Sequence, residues 1–136
     1  MRYMEDSQSI AVVVADNQET ILRTVSATLE KAGFTVMATS SASEALRYCR
    51  EISRPVNLAV IDSEAVGINA SDLSSELDTL FPRMQTLILT GDGSDTVLPH
   101  MPRPSSRLAL MRKPFRRAQL LGHVLEMMDR PKVLTA

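Results

Sequence analysis

The feature that most constrains the fold is a series of short apolar runs separated by amphipathic stretches. The first run, residues 10–15, is apolar at every position, which is typical of a parallel strand buried on both faces. Val and Ile dominate several of the runs, and these β-branched residues favour strands over buried helices. Five strands are therefore predicted, at residues 10–15, 35–38, 58–61, 86–89 and 108–111.

The stretches between these runs carry apolar residues at helical spacing. In residues 18–32, Ile21, Val25 and Leu29 fall on one face. Asp16 or Asn17 is predicted to cap this helix, and Gly33 to end it in a left-handed conformation. Further helices are predicted after Ser43 and over residues 71–80, and a last one carries Leu120 and Met128 and stops before Pro131.

Strands that alternate with helices predict an α/β domain with a parallel sheet. The length of 136 residues suits one such domain. We place it at residues 10–129, with tails at residues 1–9 and 130–136. Residues 92–107 contain Pro99, Pro102 and Pro104, so any helix between the fourth and fifth strands is expected to be short or irregular.

The composition excludes several classes of protein. Hydrophobic residues make up 44% of the chain, charged residues 23%, and the net charge is −1, which argues against disorder and against direct nucleic-acid binding. One cysteine, Cys49, excludes a disulfide framework and a multi-thiolate metal site. No apolar run is long enough to cross a membrane, so we expect a cytoplasmic protein.

Four polar residues come where predicted strands end. Asp16 directly follows the first predicted strand, Asp62 the third and Thr90 the fourth, and Lys113 comes two residues after the fifth. Ligands of open parallel sheets bind outside the carboxyl ends of the strands. Two neighbouring carboxylates repel each other and attract a divalent cation such as Mg²⁺. A carboxylate can accept a phosphoryl group, and a lysine and a hydroxyl can bind its oxygens, so this set favours phosphoryl chemistry.

The chain resembles the receiver domains of two-component response regulators. The resemblance runs from about Ile10 to Met128 and rests on four pieces in order: Val-Val-Val-Ala-Asp, Leu-Ala-Val-Ile-Asp, Leu-Ile-Leu-Thr-Gly and Lys-Pro-Phe. It implies a flavodoxin-like, doubly wound sheet of five parallel strands in the order 2-1-3-4-5. It also implies a phosphoryl donor that is a sensor histidine kinase or a phosphotransfer protein.

The resemblance assigns a role to each strand-end residue. Asp62 corresponds to the phospho-acceptor, Thr90 to the hydroxyl that closes on the phosphoryl group, and Lys113 to its cationic partner. The bond from Lys113 to Pro114 is a candidate for the cis isomer. Mg²⁺ would be held by Asp16, Asp62 and the backbone carbonyl of Glu64. The implied function is a phosphorylation switch in a signalling relay, not an enzyme.

The chain also departs from the family pattern. The family usually has two adjacent acids at the end of the first strand, but the first of these positions is Ala15 here. The position of an aromatic residue that moves on activation holds Leu110. Ala65, Val66 and Ala70 replace the usual Met-Pro and Gly. Glu64 and Asp92 add two carboxylates in loops that follow neighbouring strands, and we hypothesise that Glu64 restores part of the charge that Ala15 removes.

Two other functions stay open at this point. The departures at Ala15 and Leu110 favour a receiver fold that only binds other proteins and no longer accepts phosphate. A phosphatase of the haloacid-dehalogenase type also uses an aspartyl nucleophile, a hydroxyl and a lysine. In that class the nucleophile normally follows the first core strand, with a second aspartate two residues on, whereas Asp62 follows the third strand and is followed by Glu64.

Overall fold

The computed structural model describes residues 9–63, 70–91 and 107–135. Its strands are β1 (Ala11–Ala15), β2 (Thr35–Thr39), β3 (Leu58–Asp62), β4 (Gln85–Thr90) and β5 (Leu108–Arg112). The helices of this part of the chain are α1 (Glu19–Lys31), α2 (Ala42–Glu51), α3 (Ala70–Leu80) and α4 (Arg117–Thr135). All five predicted strands are present, with ends that differ by one residue at most from the prediction.

The strands form one parallel sheet in the order β2-β1-β3-β4-β5. This order confirms the doubly wound, flavodoxin-like arrangement. The order reverses between β1 and β3, which are neighbours although β2 lies between them in sequence. A parallel sheet with this topology has its ligand crevice at the carboxyl ends of the strands around that point.

Helices cover both faces of the sheet, and side chains alternate along each strand to meet them. On one face, Val13, Ala59 and Ile61 share a core with residues of α2 and α3. On the other face, Val12, Val14 and Val60 share a core with residues of α1 and α4. Each residue of β1, β3 and β4 is buried, as the unbroken apolar runs predict. Cys49 is also buried, on the α2 side.

The ends of α1 differ in part from the prediction. Gly33 has a φ of 103°, in the left-handed region predicted for the residue that ends this helix. The predicted cap is wrong, because the helix begins after Gln18, whose side chain makes no capping hydrogen bond. Asp16 lies too early to cap the helix, and its Oδ1 instead accepts the backbone N–H of Gln18 at 2.8 Å.

The predicted end of the last helix is also wrong, because α4 continues past Pro131 to Thr135. A proline removes one backbone donor and crowds the preceding turn, but a helix can pass through it with a kink. The expectation of a short or irregular helix in residues 92–107 falls almost wholly on residues 92–106, which lie outside the described part of the chain. Among the described residues, no helix combines the length and the hydrophobicity that a membrane span requires.

Candidate functional site

Four strands deliver the predicted site residues to one edge of the sheet. Asp62 and Thr90 are the last residues of β3 and β4. Asp16 and Lys113 each come one residue after a strand, β1 and β5 respectively. Since all strands are parallel, these four residues lie at the same edge. The structure thereby confirms the predicted convergence.

Backbone hydrogen bonds extend the sheet just past the strand ends and hold the site residues. The N–H of Asp16 donates to the carbonyl of Thr39 at 3.1 Å, and the N–H of Ser63 donates to the carbonyl of Leu89 at 2.8 Å. The N–H of Lys113 donates to the carbonyl of Thr90 at 2.7 Å. The site therefore rests on regular structure, which fixes side chains more closely than a loop does.

The ammonium of Lys113 lies between the two carboxylates. Its Nζ is 3.1 Å from Oδ2 of Asp16 and 3.4 Å from Oδ1 of Asp62. The side chains of Lys113, Asp62 and Asp16 are 12%, 5% and 0% exposed. Charges this close and this far from water interact strongly. The lysine thus neutralises part of the negative charge at the edge.

Asp16 is the most deeply buried charge of the site. Burial raises the pKa of its carboxyl above 3.8, and the nearby charge of Asp62 adds to this effect. The N–H of Gln18 and the ammonium of Lys113 act in the opposite direction and lower the pKa. Oδ2 of Asp16 lies within ion-pair distance of Lys113 but receives no aligned hydrogen bond within the described structure. This buried oxygen can therefore still accept a hydrogen bond or bind a cation.

Thr90 joins the site through its backbone. Its residue is 8% exposed and pairs with Arg112 of β5, next to Lys113. Within the described ranges, the Thr90 hydroxyl makes no hydrogen bond to Asp62 or Lys113. The structure therefore places the Thr90 backbone beside Lys113, and the role of the Thr90 hydroxyl stays a prediction.

Sequence reasoning missed Gln18. Its Oε1 accepts a hydrogen bond from Lys113 Nζ at 2.7 Å, the shortest of the three contacts that the ammonium makes with Gln18 and the two carboxylates. A glutamine at the start of a helix is common on protein surfaces, and its partner is 95 residues away. The only signal in the sequence is its place, two residues after Asp16.

The residues present fit a magnesium ion. Mg²⁺ is usually bound by one or two carboxylates together with waters and phosphate oxygens. Asp16 and Asp62 supply two carboxylates, and no residue in the described part of the chain donates a hydrogen bond to Oδ2 of Asp16. In the described ranges, no group of three or more His, Cys, Asp or Glu residues is placed to hold a metal. Glu64 and Asp92, which were predicted to add a carbonyl and charge, lie outside those ranges.

The structure shows how the residues that depart from the family pattern are packed. Ala15 is 1% exposed and packs in the core on the α2 and α3 side. Leu110 is partly buried against the same core. Both positions therefore hold apolar packing residues. The peptide bond from Lys113 to Pro114 is cis, as the resemblance implies.

Comparisons with known proteins agree with this geometry. The family model of the response regulator receiver domain matches residues 12–125. The fold is similar to a response regulator receiver domain protein from Clostridium thermocellum, with 27% identity, a TM-score of 0.75 and coverage of 92% of this chain and 98% of that one. It is also similar to a response regulator receiver protein from Sinorhizobium medicae WSM419, with 21% identity, a TM-score of 0.77 and coverage of 90% and 96%.

A CheY-like receiver domain protein from Methanospirillum hungatei JF-1 has the same fold, with 22% identity, a TM-score of 0.76 and coverage of 92% and 98%. No curated protein sequence matches the chain significantly. Receiver domains generally bind Mg²⁺ at their phosphorylation site and interact with histidine kinases or phosphotransfer proteins. Because the family model spans most of the sequence and the sheet has the order of this fold, the chain belongs to the response regulator receiver domain family.

Proposed function

We propose that this protein is a phospho-accepting receiver domain that is switched by phosphorylation of Asp62. The donor would be a phosphohistidine on a sensor histidine kinase or a phosphotransfer protein. The observation that carries the proposal is the position of Lys113, whose ammonium lies 3.1 Å from Asp16 and 3.4 Å from Asp62. A cation between two strand-end carboxylates suits a site that must receive further negative charge.

The transfer is a displacement at phosphorus. One carboxylate oxygen of Asp62 attacks the phosphorus atom, and an oxygen–phosphorus bond forms. The phosphorus–nitrogen bond to the donor histidine breaks, and its electron pair stays on the ring nitrogen. Positioning and charge stabilisation dominate such reactions. Asp62 suits this role because it is the last residue of a strand whose five residues are all buried.

The aspartyl phosphate carries a charge of about −1.5 to −2, in place of the single negative charge of the Asp62 carboxylate. Lys113 is the cation already in contact with Asp62, so its ammonium is placed to bind a phosphoryl oxygen. Mg²⁺, when bound, would neutralise charge on the carboxylates and phosphoryl oxygens. Asp16, Asp62 and the backbone carbonyl of Glu64 would hold it.

Phosphorylation would act on the edge formed by β4 and β5. The Thr90 hydroxyl would move toward the phosphoryl group, and the backbone bond between Thr90 and Lys113 would couple the two strand ends. Such a change shifts a population between two conformations and needs no new fold. Partner proteins would distinguish the two conformations. In this proposal the domain does not turn over a substrate as an enzyme and does not bind nucleic acid directly.

One observation favours a second function, that of a protein-binding module which accepts no phosphate. Ala15 takes the place of an acid, and its side chain is buried in apolar core. The site therefore has one carboxylate fewer to attract a metal than the family pattern implies. Asp16, Asp62 and Lys113 are nonetheless all present and in contact, so we favour phosphorylation.

Acetyl phosphate, a small phosphodonor, tests the proposal without the partner kinase. In the presence of Mg²⁺, intact-mass spectrometry should detect one added phosphoryl group on the wild type. Asp62→Asn should abolish the addition, because it removes the nucleophile. Asp78→Asn is the matched control, since Asp78 is an exposed residue of α3 whose side chain pairs with Arg107.

The outcomes separate the candidate functions. Equal labelling of the wild type and Asp62→Asn would refute the acceptor assignment. Failure of the wild type to react with acetyl phosphate, and with any histidine kinase tested, would favour the binding module. Release of many equivalents of inorganic phosphate from simple phosphate esters would instead indicate a phosphatase.

A further inference from the structure

We propose that Gln18 is a positioning residue that holds the Lys113 ammonium beside Asp16 and thereby weakens Mg²⁺ binding. Its role follows from two contacts made by the same residue. The backbone N–H of Gln18 donates to Oδ1 of Asp16 at 2.8 Å. The side-chain Oε1 of Gln18 accepts from Nζ of Lys113 at 2.7 Å.

These contacts close a ring of three residues. Gln18 binds one oxygen of Asp16 and the ammonium of Lys113, while that ammonium lies 3.1 Å from the other oxygen of Asp16. Both carboxylate oxygens of Asp16 therefore have a positive or N–H group beside them. The ring lies at the rim of the site, since Gln18 is exposed and Asp16 is fully buried.

The ammonium and a metal ion compete for the same carboxylate. Mg²⁺ binds oxygen ligands at about 2.0–2.1 Å, whereas Nζ of Lys113 is 3.1 Å from Oδ2 of Asp16. A divalent ion on Oδ2 would repel the ammonium at close range, so Lys113 must move away from Asp16 when the metal binds. The hydrogen bond to Gln18 opposes this movement, because the ammonium has to leave the Oε1 acceptor of Gln18 as well as Asp16.

The competition between Lys113 and Mg²⁺ has a larger effect in this chain than it would have if position 15 were also an acid. Ala15 contributes no charge, so Asp16 and Asp62 carry the negative charge near the lysine in the described structure. One ammonium then cancels half of the charge that would attract the metal. This inference deepens the proposed function, on which its consequence for phosphorylation rests, but its test requires no phosphodonor.

Isothermal titration with MgCl₂ on the full chain tests the inference. Gln18→Met keeps the length of the side chain and removes the acceptor, so it should raise Mg²⁺ affinity roughly three- to tenfold, the effect of losing one modest hydrogen bond. In a Lys113→Met background the same change should leave the affinity unaltered, because no ammonium remains to be held. Gln119→Met is the matched control, since Gln119 is exposed and accepts from the backbone of Arg116.

Melting curves recorded without Mg²⁺ establish that each variant is folded, and Gln18→Ala replaces Gln18→Met if the latter is not. The inference is overturned if removing the Gln18 side chain leaves Mg²⁺ affinity unchanged or lowers it. It is equally overturned if the change is the same with and without Lys113, or if none of the variants binds Mg²⁺. A positive result with a wild type that acetyl phosphate does not label would support this inference while the proposed function fails.

Discussion

At the scale of single residues, the site is a balance between burial and charge. Asp16 is fully buried and Asp62 nearly so, and their charges repel each other. Lys113 offsets this repulsion, but the pKa of Asp16 is still raised. Burial therefore outweighs the ion pair at Asp16, and the ionised carboxylate costs stability in the folded protein.

This balance predicts that Asp16→Asn stabilises the metal-free protein at pH 7. A pKa that is higher in the folded than in the unfolded chain means that the folded protein binds the proton more tightly. The contribution of Asp16 to the stability of the wild type should thus rise as the pH falls from its folded pKa towards 3.8. The advantage of Asp16→Asn should shrink over the same range, because the wild-type carboxyl becomes neutral.

Thermal melting in EDTA at pH 7 and at successively lower pH measures this effect. Asp78→Asn serves as the control, since that carboxylate is exposed. A melting temperature for Asp16→Asn below that of the wild type at pH 7 would contradict the account. It would mean that the ion pair with Lys113 outweighs the cost of burial.

Sequence reasoning identified the charged residues of the site but not their contacts. Asp16, Asp62 and Lys113 stand at strand ends, and that position is visible in the sequence once the strands are predicted. Gln18 was missed because its contact with Lys113 joins residues 95 positions apart. A single sequence contains no pattern that predicts such a contact for a surface glutamine.

At the scale of elements, α3 anchors one face of the sheet that carries Asp62. Leu73 and Leu77 of this helix are 0% exposed and pack in the same core as Ile61 of β3. Ile61 is the neighbour of Asp62 in the strand. Packing of α3 therefore supports the strand end on which the site is built.

We expect Leu77→Ala to lower the free energy of unfolding by about 2–5 kcal/mol, the usual cost of a cavity at a buried leucine. Leu80→Ala, on the same helix, should cost less than about 1 kcal/mol, because Leu80 is 37% exposed. Urea unfolding followed by circular dichroism gives both values. Equal losses for the two variants would show that α3 is not packed through Leu77.

The elements also show where a sequence predicts well. Strands such as β1 are apolar throughout, because helices cover both faces of the sheet and bury every residue of the strand. An unbroken apolar run in the sequence is therefore enough to locate such a strand. The end of α4 was mispredicted because a proline's local preference was given too much weight at Pro131. The capping residue of α1 was mispredicted because Asp16 bonds to Gln18 from outside the helix.

At the scale of the whole molecule, the fold creates the site. Asp16 and Lys113 are far apart in sequence, and parallel pairing of β1, β3, β4 and β5 brings them to one edge. The sequence alone predicted an α/β fold, but the strand order came from the family resemblance. Periodicity shows which residues are strands and carries no information on which strands are neighbours.

The most direct test of the central claim is to locate the phosphoryl group on the chain. After reaction with acetyl phosphate and Mg²⁺, borohydride reduces an aspartyl phosphate to homoserine, and peptide mass spectrometry then identifies the converted residue. The account predicts homoserine at position 62 and unchanged aspartate at position 16. Conversion at another position, or phosphorylated protein that retains aspartate at position 62, would contradict it.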